Sequence, residues 1–491
     1  MEVERAPREI FTLRTGIANI ANATTGVVPS NRVSAVTLFS VEGNNSNSKY
    51  RNFTSSATAS NLAFPDAHFA AVGIGLYVSI YSLQSFRLRL VLDASLSDDP
   101  STETHMPRQH SQTQDKLHVV AIIYSAPLLL VHTNNYSLAI FNLQKLLATL
   151  NPSQPAKPFH VVPVNSLNFC RPCVLGCSSV ISLTGRQSPI AIEADAPATA
   201  SLLFATTSIC QDSDRIDVLD LFSMEFCVKN LTPSTAIPHC RLATVVPVPI
   251  KTGMLMCLHL FKSSEFGYCD KVLLAAGYES GDLVLYSIFH HENDQDFGRK
   301  RQPNGGHAHV IWSFKAFENP VTSFDVYPNA KYIIVGAAEE SIVQVRIFNA
   351  SKKNKSSHNS NNENDSKNEK LLIVEPKYIR IELPVGSKGC TEVKVRHDSK
   401  LVAVACWDSM VRLYSAKTMI WLGILGSEVH RHGVTCIAFA PISELKKSRE
   451  QTGLQVVSKA EKSYGLKTDT MPENMVAVGT EDGRVVLWCV Y

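Results

Sequence analysis

Cys170-Arg171-Pro172-Cys173, with Cys177 four residues further on, has the spacing at which two thiolates share a zinc ion or cycle as a redox disulfide. A structural zinc ion takes four ligands, usually supplied as two close pairs. No second pair lies nearby, and the segment opens no helix of a redox βαβ unit, so the three are read as structural cysteines. Imidazoles stand at His290-His291 and at His430-Arg431-His432, and carboxylates at Asp282, Asp408 and Asp482. A His–Asp couple can act as a general acid and base. Three Asp residues at matching positions of a repeated pattern point instead to architecture. The chain has no G-x-G-x-x-G, P-loop, nucleophile elbow or H-E-x-x-H string. The expectation is therefore no enzyme, no catalytic residue, no cofactor and no metal. Arg299-Lys300-Arg301 is a short basic cluster in a polar connector, too small to argue for nucleic acid.

The repeated pattern is clearest at the C-terminal end, where Gly479 to Tyr491 reads GTEDGRVVLWCVY: a tight acidic turn, then alternating apolar residues that close on Trp488. Echoes occur at Gly277–Ile288 (GYESGDLVLYSI) and Ala405–Ala416 (ACWDSMVRLYSA), with fainter ones at Gly73–Leu83, Thr133–Leu143, Gln211–Leu221 and Ala337–Ala350. Their closing apolar positions, Tyr81, Phe141, Leu219, Tyr286, Phe348, Tyr414 and Trp488, are 60, 78, 67, 62, 66 and 74 residues apart. A four-stranded WD repeat spans about 40 to 45 residues, so each unit carries an insertion. One such unit cannot bury its own faces and needs neighbours. The predicted fold is all-β, a single seven-bladed WD-repeat β-propeller with long inter-strand insertions. In repeats of this kind the turn Asp is buried and joins a His at the blade's start, the turn itself and the closing Trp, satisfying polar groups inside the blade. The structural residues expected from that pattern are Asp282, Asp408, His430, Thr480, Asp482 and Trp488.

The blades are placed at about 32–83, 117–150, 160–222, 240–288, 310–350, 378–416 and 420–491, with the strand 10–14 (IFTLR) closing the seventh as its outer strand. The tracts 42–61 and 95–115 are polar connectors, and 443–472 is a long insertion in blade seven. In 351–370, Lys, Asn, Ser, Asp and Glu fill nearly every position. A segment that polar cannot offset its ordering entropy and is expected to be disordered. Composition is that of a soluble globular chain, 45% hydrophobic and 19% charged, with a net charge of +3. That balance implies neither a nucleic-acid nor a membrane partner. Twelve cysteines in 491 residues are too sparse for a disulfide scaffold, and the opening MEVERAPREIF is charged where a signal peptide is apolar. The expected compartment is reducing, nucleus or cytosol. No apolar run reaches the roughly 18 residues that span a bilayer.

Five strings go beyond the general repeat: FTLR near the start, VPVNSLNFC (Val162–Cys170), SDRIDVLDL (Ser213–Leu221), LLAAGYESGDLVLY (Leu273–Tyr286) and ACWDSMVRLYSAKTM (Ala405–Met419) followed by HRHGVTCIAFAPI. In these the chain resembles the ASTRA-associated WD-repeat family of fungi, itself related to the animal guanine nucleotide-binding protein β-subunit-like protein 1. The resemblance follows the seven blades in order and is poor in the connecting loops. It implies a nuclear, non-enzymatic subunit of a chromatin-linked assembly, monomeric within a hetero-complex. It also implies partners among cochaperones and RuvB-like AAA+ ATPases that build phosphatidylinositol-3-kinase-related kinases. Blades one and two depart from the pattern, since GIGLY and VHTNNY lack the turn Asp, and no blade ends in Trp-Asp. Two other readings remain. A Gβ-like signalling scaffold has an N-terminal helix that coils with a γ partner, and about nine residues precede IFTLR. A ubiquitin-ligase substrate receptor shows Trp-Asp-x-Arg at strand ends, whereas Trp407-Asp408 lies in a turn. Arg87 and Arg89 are separated by Leu88, where phosphoinositide-binding propellers set two arginines side by side.

Overall fold

The computed structural model describes residues 8–14, 33–41, 67–83, 87–95, 118–125, 127–134, 137–149, 155–165, 170–177, 201–208, 213–233, 237–238, 251–263, 271–288, 308–347, 376–426, 433–440 and 474–490. These residues form seven sheets of four antiparallel strands, one of which joins the N-terminal strand to the last three and another of which is extended by a fifth, parallel strand. The fold class is a seven-bladed β-propeller. The chain divides into two compact units, residues 1–163 with 423–491 and residues 164–422. In the first, Val434–Phe439, Val33–Val41 and Val119–Ser125 open three blades and pack in that series. In the second, Cys173–Cys177, Leu255–Ser263, Val321–Val326 and Cys390–Val395 open four blades and pack likewise. The expected disordered loop 351–370, the insertion 443–472, the tract 42–61 and His430 lie outside the described residues.

The blades are offset from the units read in the sequence, because the fourth strand of each belongs with the hairpins before it. His160–Pro163 pairs with Ser137–Asn142 and completes blade two, though 160–222 is expected to begin blade three. Ala308–Lys315 pairs with Asp282–Ile288 in blade four, and Tyr378–Glu382 with Ser341–Arg346 in blade five. Trp421–Leu425 ends blade six. Leu88–Asp93 and Glu225–Leu231 extend blades one and three past 83 and 222. The physical reason is connectivity. Ala308–Lys315, Tyr378–Glu382 and Trp421–Leu425 are closely followed by the first strand of the next blade, so the two read as one strand–turn–strand run, whereas the long insertions fall at different junctions from blade to blade. Arg8–Arg14 pairs antiparallel with Arg484–Cys489, from Arg8 opposite Cys489 to Arg14 opposite Arg484, as the fourth strand of blade seven.

In six blades the first strand opens with a register shift, between Val33/Ala35, Val119/Ala121, Leu255/Cys257, Val321/Ser323, Cys390/Glu392 and Val434/Cys436. Such a bulge bends the strand and redirects its side chains. In four of them the partner across the bulge is glycine. A Cβ on Gly277 would stand 2.7 Å from both the Cys257 sulfur and Val321 of the next blade, and one on Gly479 would stand 2.5 Å from the Cys436 sulfur and 2.8 Å from Val33. Gly73 faces Val119, and Gly336 faces Cys390 and Val393, in the same way. The Gly that opens the acidic-turn motif is therefore the point where consecutive blades come closest. Apolar side chains fill the space between sheets, as with Leu273, Leu285, Phe324, Ile333 and Val343 between blades four and five.

Candidate functional site

The three turn carboxylates are bound within their own hairpins. Asp482 accepts the Thr480 hydroxyl at 2.5 Å and pairs with Arg484 Nε at 2.8 Å. Thr480, fully buried, also hydrogen-bonds the Arg484 carbonyl at 3.1 Å. Asp282 accepts the Ser280 hydroxyl at 2.6 Å, beside Gly281, whose φ of +87° and 2.1 Å clearance to the Phe317 carbonyl admit no side chain. Asp408 caps the Met410 amide at 3.1 Å and receives both terminal nitrogens of Arg412 at 3.1 and 2.5 Å, the bidentate geometry that suits guanidinium and carboxylate. Burial works against the Arg412 charge, yet the Asp408 carboxylate outweighs it and raises the guanidinium above its ordinary value.

Each turn Asp makes these local bonds within its own hairpin, and His430, the expected blade-start partner in blade seven, lies outside the described residues. In blade four the closing Tyr286 is hydrogen-bonded to Tyr278 at 2.9 Å, hydroxyl to hydroxyl across the hairpin. Trp488 is buried in register with Val476 and Glu9. The signal for the observed pairs is present in the sequence as an Arg two or four residues beyond the turn Asp, in DGR and DSMVR.

Cys170 and Cys173 are free thiols. Burial raises Cys170 well above the ordinary thiol range, and burial pushes Cys173 up to about 12 against two backbone hydrogen bonds. Protonated buried thiols are neither nucleophiles nor good metal ligands. Among the described residues no group of three His, Cys, Asp or Glu is placed to hold a metal, and no helix is long and apolar enough to cross a membrane.

The densest polar constellation is one the sequence reading missed. It lies on the first strands of the second unit. Arg171 pairs with Glu392, which Lys394 approaches to 3.7 Å, and His259 Nδ1 lies 3.4 Å from Asp325. Asp325 also accepts the Val395 amide at 2.8 Å, so residues of blades three to six are joined in pairs. Burial lowers His259 below the ordinary imidazole value; Asp325 opposes that and Lys394 adds to it. Glu392 is held by Arg171 and Lys394, and Asp325 by the Val395 amide and His259, which suits cross-blade fastening. The visible clue is alternation, as in Glu392-Val393-Lys394-Val395, where every second residue of a first strand is polar.

Large apolar side chains stand exposed on the second unit. Trp407 in the Asp408 turn is 49% exposed, and Ile420, Trp421 and Leu422 are 63%, 58% and 47% exposed. Contiguous exposed apolar groups of this size are uncommon on protein surfaces and are enriched where proteins bind one another.

The chain is 26% identical over 362 residues to ASTRA-associated protein 1 of Aspergillus flavus, covering 70% of this chain and 73% of that protein. The protein of the same name from Penicillium rubens is 26% identical over 364 residues, with 69% and 73% covered. The chain is similar to these proteins over about 70% of its length. The mouse guanine nucleotide-binding protein subunit beta-like protein 1 is 22% identical over 241 residues, about half of each chain. No family model matches. Among solved structures, the Myceliophteria thermophila Cps50 (Swd1) β-propeller domain has 13% identity and a TM-score of 0.48, covering 99% of this chain and 100% of its own. Homology to ASTRA-associated protein 1 and the propeller fold support a scaffold role.

Proposed function

We propose that this chain is a non-enzymatic interaction scaffold, a nuclear subunit of an ASTRA-type complex. It would join cochaperone and RuvB-like AAA+ ATPase components in chromatin organisation and in assembling phosphatidylinositol-3-kinase-related kinases. The observation that carries the reading is the similarity to ASTRA-associated protein 1 over about 70% of the chain. The site chemistry agrees with it: the turn carboxylates are held by Ser280, Arg412, Thr480 and Arg484, and the apolar groups left at the surface suit protein contact.

The test is affinity purification of the tagged chain under gentle salt, with identification of co-purifying proteins and imaging of the same tag. RuvB-like ATPases and cochaperone subunits in near-equal amounts, with nuclear signal, are expected. Recovery of a ubiquitin-ligase core or a γ-like subunit in their place overturns the assignment. Exclusion from the nucleus overturns its nuclear component.

A further inference from the structure

The fourth strand of a blade is a sheet edge, and exposed edges invite pairing with other chains unless charge, proline, shortness or a cover prevents it. Six of the seven fourth strands here are protected. Leu88–Asp93 carries Arg89 and Asp93, Glu225–Leu231 carries Glu225 and Lys229, Tyr378–Glu382 carries Arg380 and Glu382, and Arg8–Arg14 carries Arg8, Glu9 and Arg14. His160–Pro163 is four residues long and ends in proline. Ala308–Lys315 is covered by Ile237–Pro238, which pairs parallel to it through Ile237 opposite His309 and Pro238 opposite Val310. Trp421–Leu425, the fourth strand of blade six, reads WLGIL. It has no charge and no proline, and it is terminal in its sheet among the described residues.

Its exposure matches that composition. Ile420, Trp421 and Leu422 are 63%, 58% and 47% exposed, and because successive side chains of a strand point to opposite faces, both faces of the edge are open. At the Ile420 end stand two exposed lysines. Lys417 lies in the turn closed by the Ser415 amide on the Ile420 carbonyl at 2.9 Å, and the Lys400 carbonyl accepts the Ala416 amide at 2.8 Å. The nearby carboxylate of Asp398 is engaged by Arg396 at 2.8 Å and by the Lys400 backbone amide at 3.0 Å, and among the described residues the ammonium group of neither lysine is paired with a carboxylate.

We propose that this edge takes an extended segment of a partner protein as a fifth strand, with apolar residues over Trp421 and Leu422 and an acidic residue at the Lys400–Lys417 end. Blade four shows that a fourth strand of this chain accepts such an addition. A second copy of the chain fits less well, because WLGIL itself carries no carboxylate to set against the lysines. Backbone pairing supplies affinity in this mode and the alternate side chains supply selectivity. The inference rests on the scaffold reading.

The experiment uses the full chain in cells, with the photocrosslinker p-benzoylphenylalanine placed at Leu422 or, as a control, at the exposed Phe159 of the first unit. The crosslinked peptides are then sequenced. The expected adduct at 422 is a partner segment with apolar residues at alternate positions and an Asp or Glu toward one end. Its yield should fall roughly fivefold or more in the Lys400→Glu/Lys417→Glu variant, as for a charge pair at an interface rim, with an unchanged melting temperature. An adduct to a helical or basic segment, or to a second copy, overturns the proposal. So does an undiminished yield in the lysine variant, or no adduct at 422 while the assembly is still recovered, and in these cases the scaffold reading stands. A chain that recovers no partner at all overturns both.

Discussion

Arg412 is a buried cation whose terminal nitrogens depend on one carboxylate, Asp408. Removing one member of such a pair leaves an uncompensated charge, which costs more than the pair itself contributes. Asp408→Asn should destabilise the fold by about 3 kcal/mol, read from the urea midpoint, and Asp408→Asn/Arg412→Met should recover part of that loss. A double variant no more stable than the single would mean the pair is not the cause. Gly277→Ala places a Cβ 2.7 Å from Cys257 and Val321, and overpacking of this kind costs about 1 to 3 kcal/mol; an unchanged midpoint would remove the close-approach argument. His259 has a folded-state value below its unfolded one, through burial and despite Asp325, with Lys394 on the same side. The unfolded chain therefore takes up the proton first as pH falls. Stability should decline as pH drops below about 6.5, and His259→Gln should flatten that part of the profile; an equal slope in the variant would place the titration elsewhere. At this scale the sequence makes the turn Asp legible through its Gly and its repetition. Its partners are less so, because Arg484 and Arg412 are two and four residues on and look like ordinary strand residues until the hairpin brings them back.

In most blades the second and third strands are joined by a tight turn, so their period-two alternation and acidic turns repeat along the chain and can be read directly. The segment between the third and fourth strands differs in length from blade to blade, and where the first strand of the next blade follows closely the fourth strand reads with it and not with the blade it completes. That is why Tyr378–Glu382 and Trp421–Leu425 read as openings of the following units. The bulges of the first strands were likewise illegible, since the residues that shift register, such as Met256 and Thr322, are ordinary strand formers, and the glycine that faces four of the six bulges lies on the next strand. The strand Arg8–Arg14 makes the opposite case: alternation marks it as a strand, and its partner is more than 470 residues away in sequence. Deleting residues 1–14 uncovers the edge of Arg484–Cys489, an apolar strand (RVVLWC). The truncated chain should melt lower and self-associate in sedimentation, as uncovered edges do. A monomer of unchanged melting temperature would show that this pairing contributes little.

Within the second unit, four blades meet through their first strands in the order Cys173–Cys177, Leu255–Ser263, Val321–Val326, Cys390–Val395. Each blade shares its core with its neighbours: Phe324, Ile333 and Val335 lie with blade four, while Ile334 and Ile342 of the same blade lie with blade six. Repeats coupled to nearest neighbours lose stability locally first, with effects that fade along the series. The polar fastenings have the same reach, Asp325 holding the Val395 amide and His259, and Tyr327 donating to the Ala416 carbonyl at 2.9 Å. Gly336→Ala sets a Cβ 2.5 Å from the Cys390 sulfur and 2.9 Å from Val393, straining the contact between blades five and six. Native-state amide exchange should therefore accelerate most, by about tenfold, in 321–337 and 390–395. The effect should be smaller in 255–263 and least in 173–177 and 201–207. Uniform acceleration through the unit would mean that its blades open as one body. A graded response would leave the fourth strands as separately tunable edges, which is the property a scaffold needs to hold several partners without each altering the others.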